Sequence, residues 1–304
     1  RRAGSPSLSG IPSGVSERNR QKVYLRGWES LLAYDALLRV FLQIRPYAKY
    51  KALTDDVFIK CRDKLFRALC EGRVRQGLEE VLHDLGNVAL GEVGPKPVVA
   101  VTGDYYTRVV PYANNDAYRE IEALGGLVLC PPTFSDCLKM ATLRDLMWNL
   151  MNRQFWEAAT KASLYVLLAF SEFKVKGTSA LRNSVAEPWD LSGHNMWRTV
   201  SQHAATRLPA GITAPIATGL NHADLGAHGV LNLMTLNCSY GTVVTATLAR
   251  ALKRGPGIPM LTLVYDGLKK TNEKTRLQAF MEQVNDRFRT DLAKKRPKQS
   301  AVAS

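Results

Sequence analysis

The chain has 304 residues, of which 46% are hydrophobic and 22% are charged, and its formal net charge is +14. These proportions are typical of a globular protein. The longest apolar run covers residues 162–170, far fewer than the ~20 residues that a membrane-spanning helix needs, so the sequence predicts no membrane segment.

The positive charge is concentrated at the two ends, at Arg1, Arg2 and the run Lys294, Lys295, Arg296 and Lys298. A solvated basic tail is the simplest interpretation of this pattern. The excess charge would also suit an anionic partner such as nucleic acid, an acidic protein or a phosphate-bearing ligand. Because much of it is terminal, nucleic-acid binding ranks last among the functions considered.

Five cysteines occur, and none has the CxxC or Cys/His spacing of a self-contained zinc site. Their odd number and the lack of a signal peptide favour a reducing cytoplasm over a disulfide framework. For Cys61 and Cys70 we expect the role of small buried hydrophobic residues.

Apolar periodicity predicts a helical region over residues 21–92, preceded by a disordered segment at 1–20. Its helices are expected at about 23–44, 54–71 and 76–88, and residues 91–96 read as a linker. Pro46 should end the first helix.

After the linker the pattern changes to that of an α/β domain over residues 96–290. Short apolar runs at 97–102 and 127–130 flank a loop at 104–113 and a helix at 114–124, for which Asn114 is the candidate cap. Such a βαβ unit implies parallel strands with a right-handed crossover.

Further strands are predicted at 230–236 and 259–265, each followed by a helix, the last of which spans 270–288. A helical insert at 139–206 precedes them, with a long helical stretch, continuous or broken, at 142–173 and a helix at 194–205, and a short helix is expected at 220–225. The predicted fold is a Rossmann-like open parallel sheet of about four strands with a long helical insertion. A disordered basic tail should follow at 291–304.

Parallel strands bring their carboxyl ends to one edge of the sheet, where open α/β folds bind ligands. The residues at three of these ends are Gly103 with Asp104, Cys238 with Ser239, and Asp266 with Gly267. A thiolate at Cys238 would be favoured beside the following helix N-terminus. The alternative is that the two aspartates only cap the turns that follow.

Other sequence signals are weak or absent. No GxGxxG follows a predicted strand and no GxxxxGK[ST] occurs, which excludes a dinucleotide fingerprint and a Walker loop. No GxSxG supports a nucleophile elbow. His222, Asp224 and His228 have no diagnostic metal spacing.

Two stretches together resemble the large proteins related to 2-hydroxyacyl-CoA dehydratases and their activators. The first is PVVAVTGDYYTRVVPYANNDAYREIEAL at 97–124, and the second is GVLNLMTLNCSYGTVV at 229–244 with IPMLTLVYDGLKKTNEKTRLQAF at 258–280. The matching or nearly matching positions are Gly103, Asp104, Tyr106, Arg108, Pro111, Tyr112, Ala113, Asn114, Cys238, Ile258, Pro259, Asp266, Gly267, Arg276, Leu277 and Phe280.

The resemblance implies a pair of Rossmann-like lobes with iron–sulfur clusters held by cysteines, and a separate or fused actin-like ATPase partner that drives low-potential electron transfer. By this resemblance Cys238 would be a cluster ligand. The residues implied in cofactor or ligand binding are Gly103, Asp104, Tyr106, Arg108, Asn114, Asp266 and Gly267. A CoA ester is the implied substrate class, with Arg108 and nearby lysines as phosphate ligands.

The chain departs from that family in several places. The other cluster cysteines of the family belong to an upstream region that this sequence does not contain, and Ser239 and Tyr240 replace the family's Met-Pro. A four-iron cluster needs about four thiolates. Cys130 and Cys137 could approach Cys238, but as ordinary buried residues they need no such role.

The sequence therefore supports two main hypotheses. The chain is the carboxyl-terminal portion of an ATP-driven iron–sulfur reductase or activator acting on an acyl-CoA or a related small molecule. Alternatively, it is a diverged docking or scaffold domain that keeps the fold without the cluster and is not catalytic by itself.

Overall fold

The computed structural model describes residues 17–91, 94–129, 135–176, 193–266 and 271–295. Its amino-terminal part is a layer of three helices, α1 (Glu17–Ile44), α2 (Lys51–Cys70) and α3 (Val74–Gly86). The first helix begins at Glu17, so the prediction of disorder to residue 20 is wrong for residues 17–20. No proline lies between Pro12 and Pro46, and α1 continues until two residues before Pro46.

The helical layer has its own apolar core, in which Leu37, Leu65 and Leu78 are fully buried. Cys61 is buried in the same core, and its Sγ donates to the carbonyl oxygen of Val81 at 3.6 Å. The prediction of a buried cysteine is confirmed for Cys61. It is wrong for Cys70, which is exposed because it is the last residue of α2.

Four strands form one parallel sheet, as the sequence predicted, and their order in the sheet is β2-β1-β3-β4. They are β1 (Val98–Gly103), β2 (Leu127–Leu129), β3 (Gly229–Thr235) and β4 (Met260–Tyr265). Thr102 of β1 is in register with Asn232 of β3, which is in register with Thr262 of β4. The chain runs outward from β1 to β2 and returns on the other side at β3, so the topological switch point lies between β1 and β3.

Helices α4 (Tyr105–Val109) and α5 (Ala117–Ala123) connect β1 to β2. The connection from β2 to β3 contains α6 (Ser135–Met151), α7 (Phe155–Lys176), α8 (Gly193–His203) and α9 (Ala210–Asp224). Finally, α10 (Ser239–Arg254) joins β3 to β4, and α11 (Thr271–Lys295) follows β4. None of the described helices combines the length and the apolar character needed to cross a membrane.

Several predicted boundaries need correction. The stretch at 142–173 is two helices, separated by a turn in which Arg153 has a φ of 57°. The predicted short helix at 220–225 is the end of α9, whose Gly211, Pro215 and Gly219 hid the helical pattern. Residues 291–295 of the predicted disordered tail continue α11, and the predicted loop at 104–113 contains α4.

The two faces of the sheet carry different helices. Side chains such as Val101, Leu231 and Leu233 pack against α5 and α11 through Ile121 and Phe280. On the opposite face, α9 and α10 cover a second apolar cluster, whose members include Ala100, Ile216, Val230, Val244 and Leu248. Covering both faces leaves the edge at the carboxyl ends of the strands open for a site.

Candidate functional site

A crevice of about 420 Å³ lies at the carboxyl ends of β3 and β4, beside α4. This volume is in the range of small-molecule pockets, and its place beside the switch point is where parallel α/β sheets bind ligands. Among the described residues its lining comprises Tyr106, Thr107, Tyr112, Ala113, Asn115, Thr235, Leu236, Tyr265 and Asp266.

Gly103 and Asp104, at the end of β1, do not line the crevice but fix the start of α4 beside it. Gly103 has a φ of +110°, and a Cβ there would lie 2.0 Å from the carbonyl oxygen of Leu233. This close approach requires glycine. Its neighbour Asp104 donates its backbone N–H to the same oxygen at 2.8 Å.

The side chain of Asp104 caps α4. Its Oδ2 accepts from the backbone N–H of Thr107 at 2.9 Å and from the Thr107 hydroxyl at 2.8 Å. Asp104 therefore caps the turn that follows β1. Asp104 contributes to the crevice by fixing α4, which presents Tyr106 and Thr107 to it.

Two exposed tyrosines flank the opening. The exposed fraction is 62% for Tyr106 and 85% for Tyr112. Aromatic rings that remain this open present an apolar face with a polar tip, which suits contact with a planar or partly apolar ligand.

Asn114 supports the turn that carries Tyr112. It is buried, and its Nδ2 donates to the carbonyl oxygen of Thr107 at 2.8 Å. The prediction that Asn114 caps the next helix is wrong, because that helix begins only at Ala117, after two residues with left-handed backbone, Asn115 and Asp116. Asn114 ties the turn to α4 instead.

The base of the crevice is formed by the last residues of two strands, Thr235 and Tyr265, which are in register. Burial raises the pKa of the Tyr265 hydroxyl well above its ordinary value, the charge of Glu273 raises it further, and Arg276 opposes the shift. Tyr265 is therefore a neutral wall of the site. Asp266 follows it at the exposed rim.

Cys238 begins α10 and is not among the residues that line the crevice. Its Sγ accepts a hydrogen bond from the backbone N–H of Gly241 at 3.3 Å and caps the helix. Asn237, with a φ of 58°, turns the chain between β3 and this cap. The thiol is partly exposed. The sequence grouped it with Asp104 and Asp266, but only Asp266 of the three lines the crevice.

The described residues fit an iron–sulfur cluster at Cys238 only in part. An amide hydrogen bond to a ligand sulfur of this kind tunes clusters. However, no group of three or more His, Cys, Asp or Glu side chains gathers within the described ranges. Cys137 is on α6, partly buried beside Met140 and Met196. One thiolate does not hold a four-iron cluster.

Arg108 faces a different cavity from Tyr106. It is 3% exposed, its guanidinium lies 5.0 Å from the centre of the Tyr105 ring, and it lines a space of about 270 Å³ between α1, α2 and the α4–α5 connection. Beside this cavity Arg45 bonds to both Asp55 and Glu122, which ties the helical layer to the α/β domain.

Sequence reasoning missed part of the lining. Thr235, Leu236 and Tyr265 could have been found at the ends of the predicted strands, whereas Asn115 carried no signal. Two residues of the sequence argument, Cys130 and Gly267, lie outside the described residues.

Comparison with known proteins identified no relative of this chain. No family model matches the chain, and neither the curated proteins nor the solved structures contain a match to it.

Proposed function

We propose that the chain is a component of an ATP-driven iron–sulfur reductase or activator that acts on an acyl-CoA or a related small molecule, and that the small molecule binds in the crevice. The observation that carries the proposal is the position of the crevice beside the β1/β3 switch point, because residues from both resembling stretches line it: Tyr106 and Tyr112 from the first, Asp266 from the second.

In this proposal the tyrosines and the rim carboxylate have separate roles. Tyr106 and Tyr112 hold the apolar or planar part of the ligand between their rings. Asp266 accepts hydrogen bonds from ligand hydroxyl or amide groups at the rim. The neutral Tyr265 hydroxyl and Thr235 provide the polar contacts at the base.

The ligand-binding part of the proposal is tested by thermal shift and calorimetric titration with an acyl-CoA, with free CoA and a simple acyl acid as separate probes. We expect Tyr106→Ala to weaken binding about tenfold or more, as loss of an aromatic contact usually does. Tyr50→Ala is the matched control, because Tyr50 is similarly exposed but lies on the helical layer. Absence of binding by all three probes would contradict the proposal.

Cys238 is proposed as one thiolate ligand of the cluster. The remaining ligands would have to come from residues outside the described ranges, from an upstream region or from a partner chain. The ATPase partner is an actin-like domain, separate or fused.

A pair of substitutions distinguishes the ligand role of Cys238 from its capping role. Cys238→Ser keeps an acceptor for the Gly241 N–H but replaces the thiolate. We expect it to lose iron and acid-labile sulfide after anaerobic purification, with little change in unfolding free energy. Cys238→Ala should lose both the cluster and about 1 kcal/mol of stability. Equal iron content in wild type and Cys238→Ser would contradict the ligand role.

A second function, a docking or scaffold domain without a cluster, is favoured by the capping hydrogen bond itself. The contact between the Cys238 sulfur and Gly241 gives this cysteine a structural role that needs no metal. Under this hypothesis wild-type protein contains no iron, even when expressed with any upstream sequence, and Cys238→Ser binds the ATPase partner as well as wild type does.

A further inference from the structure

Helix α7 carries a row of exposed side chains on the side that faces away from the protein. The row repeats alternately every three and four residues, which is the spacing of a coiled-coil seam. Its members are Trp156, Ala159, Ser163, Val166, Phe170 and Phe173, all of them exposed. We call this row the α7 seam.

The opposite side of the same helix already packs on the rest of the protein. Ala158, Leu168 and Val175 are buried there, and the last two belong to the core of the helical layer. Helix α7 therefore has two apolar sides, and only one of them is covered by described residues.

The large side chains of the seam are unusually open. The exposed fraction is 82% for Trp156, 65% for Val166, 57% for Phe170 and 68% for Phe173. Phe155 and Leu167 border the seam and are also exposed. With roughly 150–250 Å² for each aromatic side chain, the open apolar area is on the order of 700 Å², close to what one partner contributes to a stable interface.

The order of large and small residues along the seam is self-complementary. When two copies of α7 run antiparallel about a two-fold axis between Ser163 and Val166, each large residue faces a small one at the centre. Phe170 then lies opposite Ala159 of the second copy, and Val166 lies opposite Ser163 of the second copy. At the two ends Trp156 meets Phe173 of the second copy as an aromatic pair. A two-fold interface requires this match of one patch with itself.

The polar groups on the seam can be buried without losing hydrogen bonds. The Ser163 hydroxyl donates to the carbonyl oxygen of Ala159 at 2.9 Å, and the Thr160 hydroxyl donates to that of Trp156 at 3.1 Å. Burial in an interface therefore leaves neither hydroxyl without an acceptor.

The charges near the seam fit a protein partner better than a lipid surface. Of the charged residues of α7 only Lys174 lies close to the seam, and it is paired with Glu29. Helices that lie on anionic membranes carry mainly Lys and Arg beside the apolar side.

We propose that the α7 seam is the interface between two copies of this chain, packed antiparallel about a two-fold axis between Ser163 and Val166. The inference is independent of the function proposed above, because none of the crevice residues belongs to α7.

Sedimentation velocity of the full chain tests the interface. We expect a dimer for wild type, and for Val166→Glu a dissociation constant raised about 30-fold or more, since the new charge lies at the centre of the apolar contact. Phe66→Glu is the matched control, because Phe66 has the same 65% exposure on α2 and should leave the dimer intact. Circular dichroism of each variant checks that the fold is retained.

A second variant tests the register. In the double variant Ser163→Arg with Val166→Glu, each new arginine faces the new glutamate of the other copy, so we expect at least about tenfold recovery of affinity over Val166→Glu alone. Failure to recover would overturn the antiparallel register. A wild-type monomer at about 50 µM, including one that co-sediments with vesicles of phosphatidylcholine and phosphatidylserine, would overturn the interface.

Discussion

The two faces of the sheet differ in the chemistry of the side chains that they bury. On the face covered by α5 and α11 the buried side chains of the strands are apolar, including Val101, Leu231 and Leu233, with the Tyr265 ring and the exposed Thr235 at the crevice end. The face covered by α9 and α10 is also largely apolar, but a polar row, Thr102–Asn232–Thr262, crosses it, and Met234 and Val264 follow toward the carboxyl ends of β3 and β4.

The polar row is connected to both covering helices. The Thr102 hydroxyl donates to the carbonyl oxygen of Pro215 at 2.7 Å, and Asn232 Nδ2 donates to the Thr245 hydroxyl at 2.9 Å. Hydrogen bonds of this kind fix helix positions more specifically than apolar contacts do. Both faces bury an apolar cluster, and the polar row on one of them helps to determine how α9 and α10 are placed on the sheet.

The largest expected effect concerns the apolar face. Leu231→Ala removes a fully buried side chain between α5 and α11 and should lower the free energy of unfolding by about 2–5 kcal/mol, because a cavity remains. Chemical denaturation measures the change. Leu53→Ala, at an exposed leucine of α2, should change it by less than about 0.5 kcal/mol. Similar losses of unfolding free energy in the two variants would contradict the conclusion that Leu231 lies in a tightly packed core.

A smaller effect is expected on the polar face. Thr245→Val leaves the buried Asn232 amide without its acceptor and should cost about 1–3 kcal/mol. Thr242→Val is the matched control on the same helix, since its hydroxyl only bonds back to Cys238 at an exposed position. If the two valine variants have equal stability in the same denaturation assay, the hydrogen bond between Asn232 and Thr245 does not contribute to the free energy of unfolding.

The smallest effect is a pH dependence at the crevice end of the apolar face. Burial keeps the native Tyr265 hydroxyl protonated with a raised pKa, while the unfolded chain ionises near its ordinary pKa of 10.0. The contribution of Tyr265 to stability is therefore complete below about pH 10 and is lost as the pH rises above it. Tyr265→Phe should flatten this loss relative to wild type in denaturation curves between pH 9 and pH 11, whereas Tyr50→Phe should not. If the stability of wild type and of Tyr265→Phe fell in parallel with rising pH, the raised pKa of Tyr265 would be contradicted.

Local pattern was sufficient to predict most of the fold. The runs that became β1, β3 and β4 were recognisable because each is short and mostly apolar; β1 and β3 are buried on both faces, and the edge strand β4 is buried mainly on one. Helix α9 was mostly missed, since glycine and proline within it read as breaks, and their cost is offset by almost complete burial.

The candidate site was predicted less well than the fold. The strand-end rule identified the edge of the sheet and Asp266, but it also grouped Cys238 with them. Sequence distance from a strand end does not report the direction in which the next turn leaves the sheet, and Asn237 takes Cys238 away from the crevice lining. In the same way, Arg108 is two residues from Tyr106 but faces another cavity, as opposite sides of one helical turn do.

The sequence by itself determined the parallel α/β class and the edge of the sheet at which polar side chains collect, because both follow from periodicity and from strands that all run in one direction. Only the tertiary structure decided which of those side chains share a cavity and which surface of α7 the described residues leave uncovered. Both depend on turn geometry and on the packing of residues distant in sequence, which no local pattern contains.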